Sequence, residues 1–253
     1  MNHSLRTGIL WLVTILCLCI VLTMKPLPQN VAYHQFADSK TIAGIPDFFN
    51  VVSNIPFLLA GIYGLFVLNR SPAPRSINII YAVLFTGIFL TGLGSANYHL
   101  APDNANLVFD RIPMTIVFMA FLSATIAAWI DIKAGARMLV PLVLLGLGSV
   151  LWWHYTERHG AGDLRLYGFV QFYPMLVIPL IFVLFASPAN NKGMQPLIWV
   201  VVWYVAAKMF ETFDLAIYQL TGFISGHSLK HIAAAAATLY MVLFFKKKYV
   251  TIP

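Results

Sequence analysis

Three histidines and one aspartate in this sequence are of the types that hold a catalytic metal ion and assist it. His227 and His231 are four residues apart, so they lie on one face of a helix. His99 ends an earlier apolar segment, and Asp110 opens the next one. Three imidazoles leave a zinc ion one open position for water, and a carboxylate can move that water's protons. The pattern favours metal-assisted hydrolysis, and the alternative is a set of interfacial histidines that face lipid headgroups.

A serine lies close to this set in the sequence. Ser95 comes four residues before His99 and therefore lies on the same helix face. Its hydroxyl could bond to a reacting water or to an oxyanion, which would make it a second catalytic residue beside Asp110. The stretch Gly92–Ala96 is also rich in small residues, so close packing between helices is an equal alternative.

Two further polar faces lie in segments that are otherwise apolar. Asn50, Ser53 and Asn54 share one face just after Asp47, and this face should point into the helix bundle. A second face holds Lys208, Glu211 and Asp214 at spacings of three residues. These charges either pair with one another or support the site, and we take Asn50, Asn54 and the three charged residues as its possible supporting network.

The composition is that of a polytopic membrane protein built from α-helices. Hydrophobic residues make up 60% of the chain and charged residues 10%, against about 25% charged in an average soluble domain. The net charge of +7 comes from basic residues spread thinly over loop ends, so it does not indicate nucleic acid as a partner. Nothing in the loops implies a soluble protein partner. We predict an all-α bundle with eight apolar segments, at 8–24, 48–69, 76–99, 106–130, 136–155, 166–186, 196–219 and 227–245.

The distribution of lysine and arginine predicts the orientation of these segments. With Arg6 on the inside, the basic loop residues fall inside as well: Arg70, Arg75, Lys133, Arg137, Lys192 and Lys246–Lys248. Both termini are then cytoplasmic, and the three histidines and Asp110 all lie near the outer face. No small-x-small cleavage site follows the first segment, which favours a retained signal anchor over a cleaved peptide. The short loops and the lack of retention signals favour a bacterial inner membrane.

These residues carry a resemblance to a known family. The pattern consists of Ser95-x3-His99-x10-Asp110, then His227-x3-His231, preceded by the helix start Asp47-Phe-Phe-Asn-x2-Ser-Asn. It resembles the alkaline ceramidase family, within the CREST superfamily of seven-helix membrane hydrolases, which includes the progestin and adiponectin receptors. The resemblance covers about residues 36–246. It implies a seven-helix domain over 31–253, with residues 1–30 as an additional N-terminal transmembrane anchor and loop.

The resemblance also implies roles for individual residues. In that family three histidines hold zinc, which matches His99, His227 and His231, and a serine and an aspartate act beside the ion, which matches Ser95 and Asp110. Animal members bind calcium through an acidic N-terminal loop. Asp47 matches one acid of that site and Asp38 matches loosely, but the acidic Asp-Trp-x-Glu loop of the animal members is absent here.

The function implied is a zinc-dependent membrane hydrolase that cleaves the amide of a ceramide-like lipid into a sphingoid base and a fatty acid. An esterase or phospholipase of the same superfamily stays open, because metal, serine and aspartate would serve an ester equally well. A seven-helix receptor or transporter with a structural zinc is a third alternative. A transporter should place polar and broken helices at mid-membrane, whereas the polar residues here lie near one face.

Overall fold

The computed structural model describes residues 1–187 and 194–250, and the regular elements in this part of the chain are all helices. The all-α prediction is therefore confirmed. The α-helices are α1 His3–Thr23, α2 Phe48–Val52, α3 Ile55–Leu68, α4 Arg75–Leu100, α5 Asn104–Trp129, α6 Ile132–Arg158, α7 Arg165–Phe185, α8 Met194–Thr212, α9 Asp214–Thr221 and α10 Gly226–Phe245. A 3-10 turn covers Val31–His34, and a π-helical turn over Lys246–Val250 follows α10.

Seven stretches of helix in the described residues are long and apolar enough to cross a membrane: His3–Thr23, Phe48–Leu68, Arg75–Leu100, Asn104–Trp129, Ile132–Arg158, Arg165–Phe185 and Gly226–Val250. They agree closely with seven of the eight predicted segments. Large apolar side chains are exposed on their surfaces, such as Trp11 at 63% and Leu12 at 66% exposure. A surface of this kind is compatible with an integral membrane protein, since it suits lipid and not water.

The prediction of one continuous segment over 196–219 is wrong. The chain forms two helices there, α8 and α9, which are separated at Phe213. α8 is not among the seven long apolar helices. Gln195, Lys208 and Glu211 are the cause, because polar groups lower the mean hydropathy of a helix of only 19 residues.

The breaks between helices follow proline and capping residues. α3 and α4 are separated at Ser71–Pro74, and α4 and α5 at Pro102–Asp103, as the sequence predicts. The predicted break at 187–191 lies outside the described residues except for Ser187. Asp131 begins α6 by accepting a 2.7 Å hydrogen bond from the Ala134 amide, the usual role of an N-cap aspartate.

The chain divides into two compact units, and α4 and α5 each begin in one unit and end in the other. The first unit comprises Met1–Gln29, Pro74–Tyr81 and the described part of Thr115–Asn191. In it α7 packs against α1 and α6, and Thr14 and Tyr173 share a 2.6 Å hydrogen bond between their hydroxyls. Arg165 also donates to the Met24 carbonyl at 2.6 Å, so packing and hydrogen bonds both hold the N-terminal helix to this unit.

The second unit comprises Asn30–Ala73, Ala82–Met114 and the described part of Lys192–Pro253. Its central element is α10, which packs along α8 and α3 and touches α2 and α9. The buried residues of α10 include Ala233, Ala235 and Ala237, whose small side chains permit close approach of neighbouring helices. All the predicted site residues belong to this unit.

Candidate active site

The three histidines lie at helix ends. His99 is the penultimate residue of α4, and His227 and His231 occupy the first two turns of α10. Ser225 begins α10 by accepting a hydrogen bond from the Ser228 amide at 3.3 Å. Gly226 is required beside it, because a Cβ there would collide with the carbonyl oxygen of Phe210 and with Cα of Asp214. The start of α10 is thereby packed tightly against the junction of α8 and α9.

The structure brings the three imidazoles together in a buried cluster, with exposures of 1% for His99, 6% for His227 and 5% for His231. One ring nitrogen from each lies within 4.8 Å of the others, and Nε2 of His99 is 3.3 Å from Nε2 of His231. A tetrahedral zinc ion with Zn–N bonds of about 2.0–2.1 Å requires a nitrogen–nitrogen separation of about 3.3 Å. The three histidines could therefore hold a metal ion.

A serine on the neighbouring helical segment fixes the orientation of His231. The Ser53 hydroxyl donates to the Asn50 carbonyl at 3.1 Å, so its oxygen accepts from Nδ1–H of His231 at 2.8 Å. That tautomer leaves the lone pair on Nε2, the atom that faces His99. Partners of this kind commonly orient metal-binding histidines. Ser53 was recognised from the sequence only as part of a polar helix face.

Asn50 joins three parts of the site. Its side-chain oxygen accepts from the Ser228 hydroxyl at 2.7 Å, and its amide donates to the Asp38 carbonyl at 3.1 Å. Asn54 donates in turn to the Asn50 carbonyl at 2.8 Å. Asn50 is fully buried, so each of these bonds compensates for the loss of water. The start of α2 is thus tied both to α10 and to the chain that precedes it.

Asp110 and Ser95 lie beside one another on adjacent helices. Both are buried, and the Ser95 hydroxyl donates a hydrogen bond to the Asp110 carboxylate. Gly94 allows this approach, because a Cβ there would collide with the Phe109 carbonyl. Pro113 has no N–H to donate to that same carbonyl and so loosens α5 at this turn. Ser95 and Asp110 each directly follow one residue of this close contact, Gly94 in α4 and Phe109 in α5.

A lysine that the sequence analysis did not weigh lies at the centre of the charged groups. The Lys230 ammonium is 3.0 Å from Nε2 of His227 and 3.4 Å from Glu211. It also acts electrostatically on His99, His231 and Asp110. Because an ammonium group only donates, His227 must present a lone pair at Nε2. Lys230 could have been recognised from the sequence by its spacing, because it follows His227 by three residues on the same helix.

The second polar face, of Lys208, Glu211 and Asp214, forms ion pairs and also binds backbone amides. Lys208 pairs with Glu211 at 2.6 Å, and Glu211 also pairs with Lys230. Asp214 has a separate role. Its two carboxylate oxygens accept from the backbone amides of Ala37, at 3.0 Å, and His227, at 2.6 Å.

The carboxylate of Asp38 lies close enough to Asp47 to affect it. Burial and then the Asp38 carboxylate raise the pKa of Asp47 above its usual value. Within the described residues, no third carboxylate, imidazole or thiolate joins them in a group that could hold a metal ion. Calcium normally takes six to eight oxygen ligands, so a calcium site is not supported here.

Comparison with known proteins identifies the family. A family model described as Ceramidase matches residues 35–251, which is most of the chain. The chain belongs to the Ceramidase family. A comparison with curated proteins gives no match.

Membership in the Ceramidase family supports a membrane enzyme that hydrolyses ceramide, and it implies a hydrolase acting on an amide bond. A ceramidase would find its lipid substrate in the membrane, in accord with the apolar helices of this chain. The matched range includes the three histidines, Ser95 and Asp110. The family thus gives the type of reaction, and the buried cluster gives a place where a metal could assist it.

Proposed function

We propose that this protein is a zinc-dependent membrane hydrolase that cleaves the amide bond of a ceramide-like lipid to a sphingoid base and a fatty acid. The observation that carries the proposal is the 3.3 Å separation between Nε2 of His99 and Nε2 of His231, with His227 beside them. Neutral imidazoles suit zinc among the metals common in hydrolases, and three of them leave a position open for chemistry. When bound, zinc would polarise the amide carbonyl and activate water at neutral pH.

Asp110 is proposed to move the protons of the reaction. Its carboxylate would accept a proton from the attacking water, whose oxygen forms a bond to the amide carbon. It would return that proton to the nitrogen as the carbon–nitrogen bond breaks, so that the products are a fatty acid and an amine. Burial of Asp110 beside Ser95 and within reach of the Lys230 charge supports this role.

Ser95 is proposed to hold the attacking water or to stabilise the oxyanion. Its hydroxyl donates to Asp110, and a change of χ1 rotamer would free it to donate to an oxygen of the substrate. Donors placed where negative charge develops are among the strongest catalytic devices. The Lys230 ammonium adds a positive charge to the same region.

We further propose that the site lies near the outer face of a bacterial inner membrane, with both termini in the cytoplasm. The positions of His99 at the end of α4 and of His227 at the start of α10 support one shared depth, because these helix ends face the same side when α4 runs outward and α10 inward. A lipid could then reach the site sideways from the bilayer.

The decisive experiment is hydrolysis of defined lipids by the purified protein. Ceramides, glycerolipid esters and phospholipids are incubated with the zinc-loaded protein, with and without a chelator, and products are measured by mass spectrometry. We expect release of a free sphingoid base that stops on chelation and in the His227→Ala, His231→Ala double variant. Cleavage of esters alone would favour the esterase alternative. Stoichiometric zinc without hydrolysis of any lipid would favour a receptor or transporter.

A further inference from the structure

A short segment ahead of the first core helix lies across the histidine cluster. We call His34–Lys40 the strap. His34 begins it, bonded through Nδ1 to the Tyr98 hydroxyl and through Nε2 to Asn104, each at 2.9 Å. Lys40 ends it, and its ammonium donates to the Gly222 carbonyl at 3.1 Å. Both ends of the strap are therefore fixed to helices that border the site.

The middle of the strap is held by the site's own supporting residues. The Ala37 amide donates to Asp214, and the Asp38 carbonyl accepts from Asn50. Asp214 also accepts from the His227 amide, so one carboxylate connects the strap to a candidate metal ligand. A loop that served only as a connection would not need four separate anchors, since surface loops are normally free to vary.

The side chain that the strap presents to the histidines is Phe36. Its ring centroid is 4.6 Å from that of His99 and 4.5 Å from that of His227. Phe36 is half-buried, whereas both histidines are buried. The ring therefore lies between the imidazoles and the outside of the protein, where it covers part of the imidazole surface.

We infer that Phe36, held by the strap, shields the metal site from bulk water and makes it select lipids from the bilayer over amides dissolved in water. The inference rests on the proposed zinc-dependent hydrolysis and adds the route by which substrate is selected. A polar molecule that entered beside the Phe36 ring would lose its hydration, and the ring offers it no polar group in exchange.

Release of zinc to a water-soluble chelator tests this shield without relying on activity. Zinc-loaded wild type, Phe36→Ala and Phe49→Ala are compared in the same membrane mimetic. Phe49 is the matched control, because its ring packs on Phe223, with 4.6 Å between the ring centroids. We expect zinc release from Phe36→Ala to be about threefold to tenfold faster, the size expected for loss of aromatic ring contacts, and release from Phe49→Ala to match wild type.

Substrate preference supplies the second measurement. The ratio of kcat/KM for a water-soluble short-chain ceramide to that for a long-chain ceramide should rise in Phe36→Ala by a similar factor. If Phe36→Ala does not fold, Phe36→Leu, which keeps apolar bulk without a ring, should change both measurements in the same direction.

Unchanged zinc release and an unchanged substrate ratio in a folded, zinc-loaded variant would overturn the shield while leaving the proposed hydrolysis intact. A wild-type protein that neither binds zinc nor cleaves lipids would overturn both.

Discussion

His231 illustrates how single residues build this site. Ser53 takes one of its ring nitrogens, and the other faces His99 at 3.3 Å. Lys230 acts differently on His227: its ammonium donates to Nε2, so a metal that bound that atom would have to displace the ammonium, which Glu211 also pairs. At the residue scale, His231 is therefore oriented by Ser53 before any metal binds, which lowers the cost of binding at this ligand.

Substitution of Ser53 tests the orientation of His231. Ser53→Ala should weaken zinc binding by about 10- to 100-fold, the usual effect of losing a hydrogen bond to a metal ligand. Competition with a chelator of known affinity gives the measurement, and Ser53→Thr should restore binding because it keeps the hydroxyl. Ser149→Ala is the control, since it removes a buried hydroxyl of α6 that donates to the Gly146 carbonyl. Equal affinities in all the variants would contradict this role.

Substitution of Asp110 separates proton transfer from metal binding. Asp110→Asn keeps the shape but removes the basic carboxylate, so hydrolysis should fall by about 10²–10⁴-fold while the zinc content stays near one per chain. Initial rates and metal analysis measure the two effects. Asp131→Asn is the control, because asparagine also begins helices well and should keep full activity. A fully active Asp110→Asn enzyme would exclude the proposed mechanism.

At the scale of elements, two glycines set the approach of the helices that carry the site. Gly226 lets α10 begin against Phe210 and Asp214, and Gly94 lets α4 approach the Phe109 carbonyl of α5. Pro113, one turn later, offers this carbonyl no N–H, so the close contact and the missing helix hydrogen bond occur at one point. Ser95 and Asp110 flank that contact on either side.

Gly94→Ala should separate α4 from α5. The added methyl group meets backbone and not a movable side chain, so we expect a cost of about 1–3 kcal/mol in stability and a clear loss of hydrolysis. Thermal unfolding in detergent and initial rates measure the two effects. Gly148→Ala in α6 is the control: its added Cβ meets nothing within 4 Å, so activity should be unchanged and stability should be no lower than in the wild type, since alanine favours a helix over glycine. Wild-type stability and activity in Gly94→Ala would show that this close approach is not required.

At the scale of the whole molecule, the count of membrane crossings depends on α8. This helix has 19 residues, or about 28 Å at 1.5 Å per residue, close to the thickness of the hydrocarbon core of a bilayer. It packs along α10, which is apolar enough to cross. We therefore propose that α8 crosses as well, which gives seven core helices after the N-terminal anchor. The domain boundary near residue 30 likewise stays a prediction.

Eight crossings place both ends of the chain on the same side. Reporter fusions before His3 and after Val250 should both give a cytoplasmic signal, and a fusion at Gly222 should give the opposite one. The physical reason is the retention of basic residues on the cytoplasmic side of the membrane. If the two termini reported on opposite sides, the number of crossings would be odd, and α8 would be the first helix to exclude from the count.

The sequence alone determined the helical class, seven of the apolar segments and the pairing of His227 with His231. These features depend on composition and on spacings within one helix, which local geometry fixes. It also placed Ser95 on the face of His99 by the same rule. It failed over 196–219, because the turn at Phe213 that separates α8 from α9 has no glycine or proline to mark it.

Only the tertiary structure decided which distant residues meet. The approach of His99 to His231, the bond from His231 to Ser53 and the two amides on Asp214 all join residues more than ten positions apart. Phe36 had no signal of its own, because one aromatic residue in a loop is common in any sequence. Such contacts depend on how helices pack and on where backbone atoms come close, as at Gly94 and Gly226, and no spacing within a single helix encodes that arrangement.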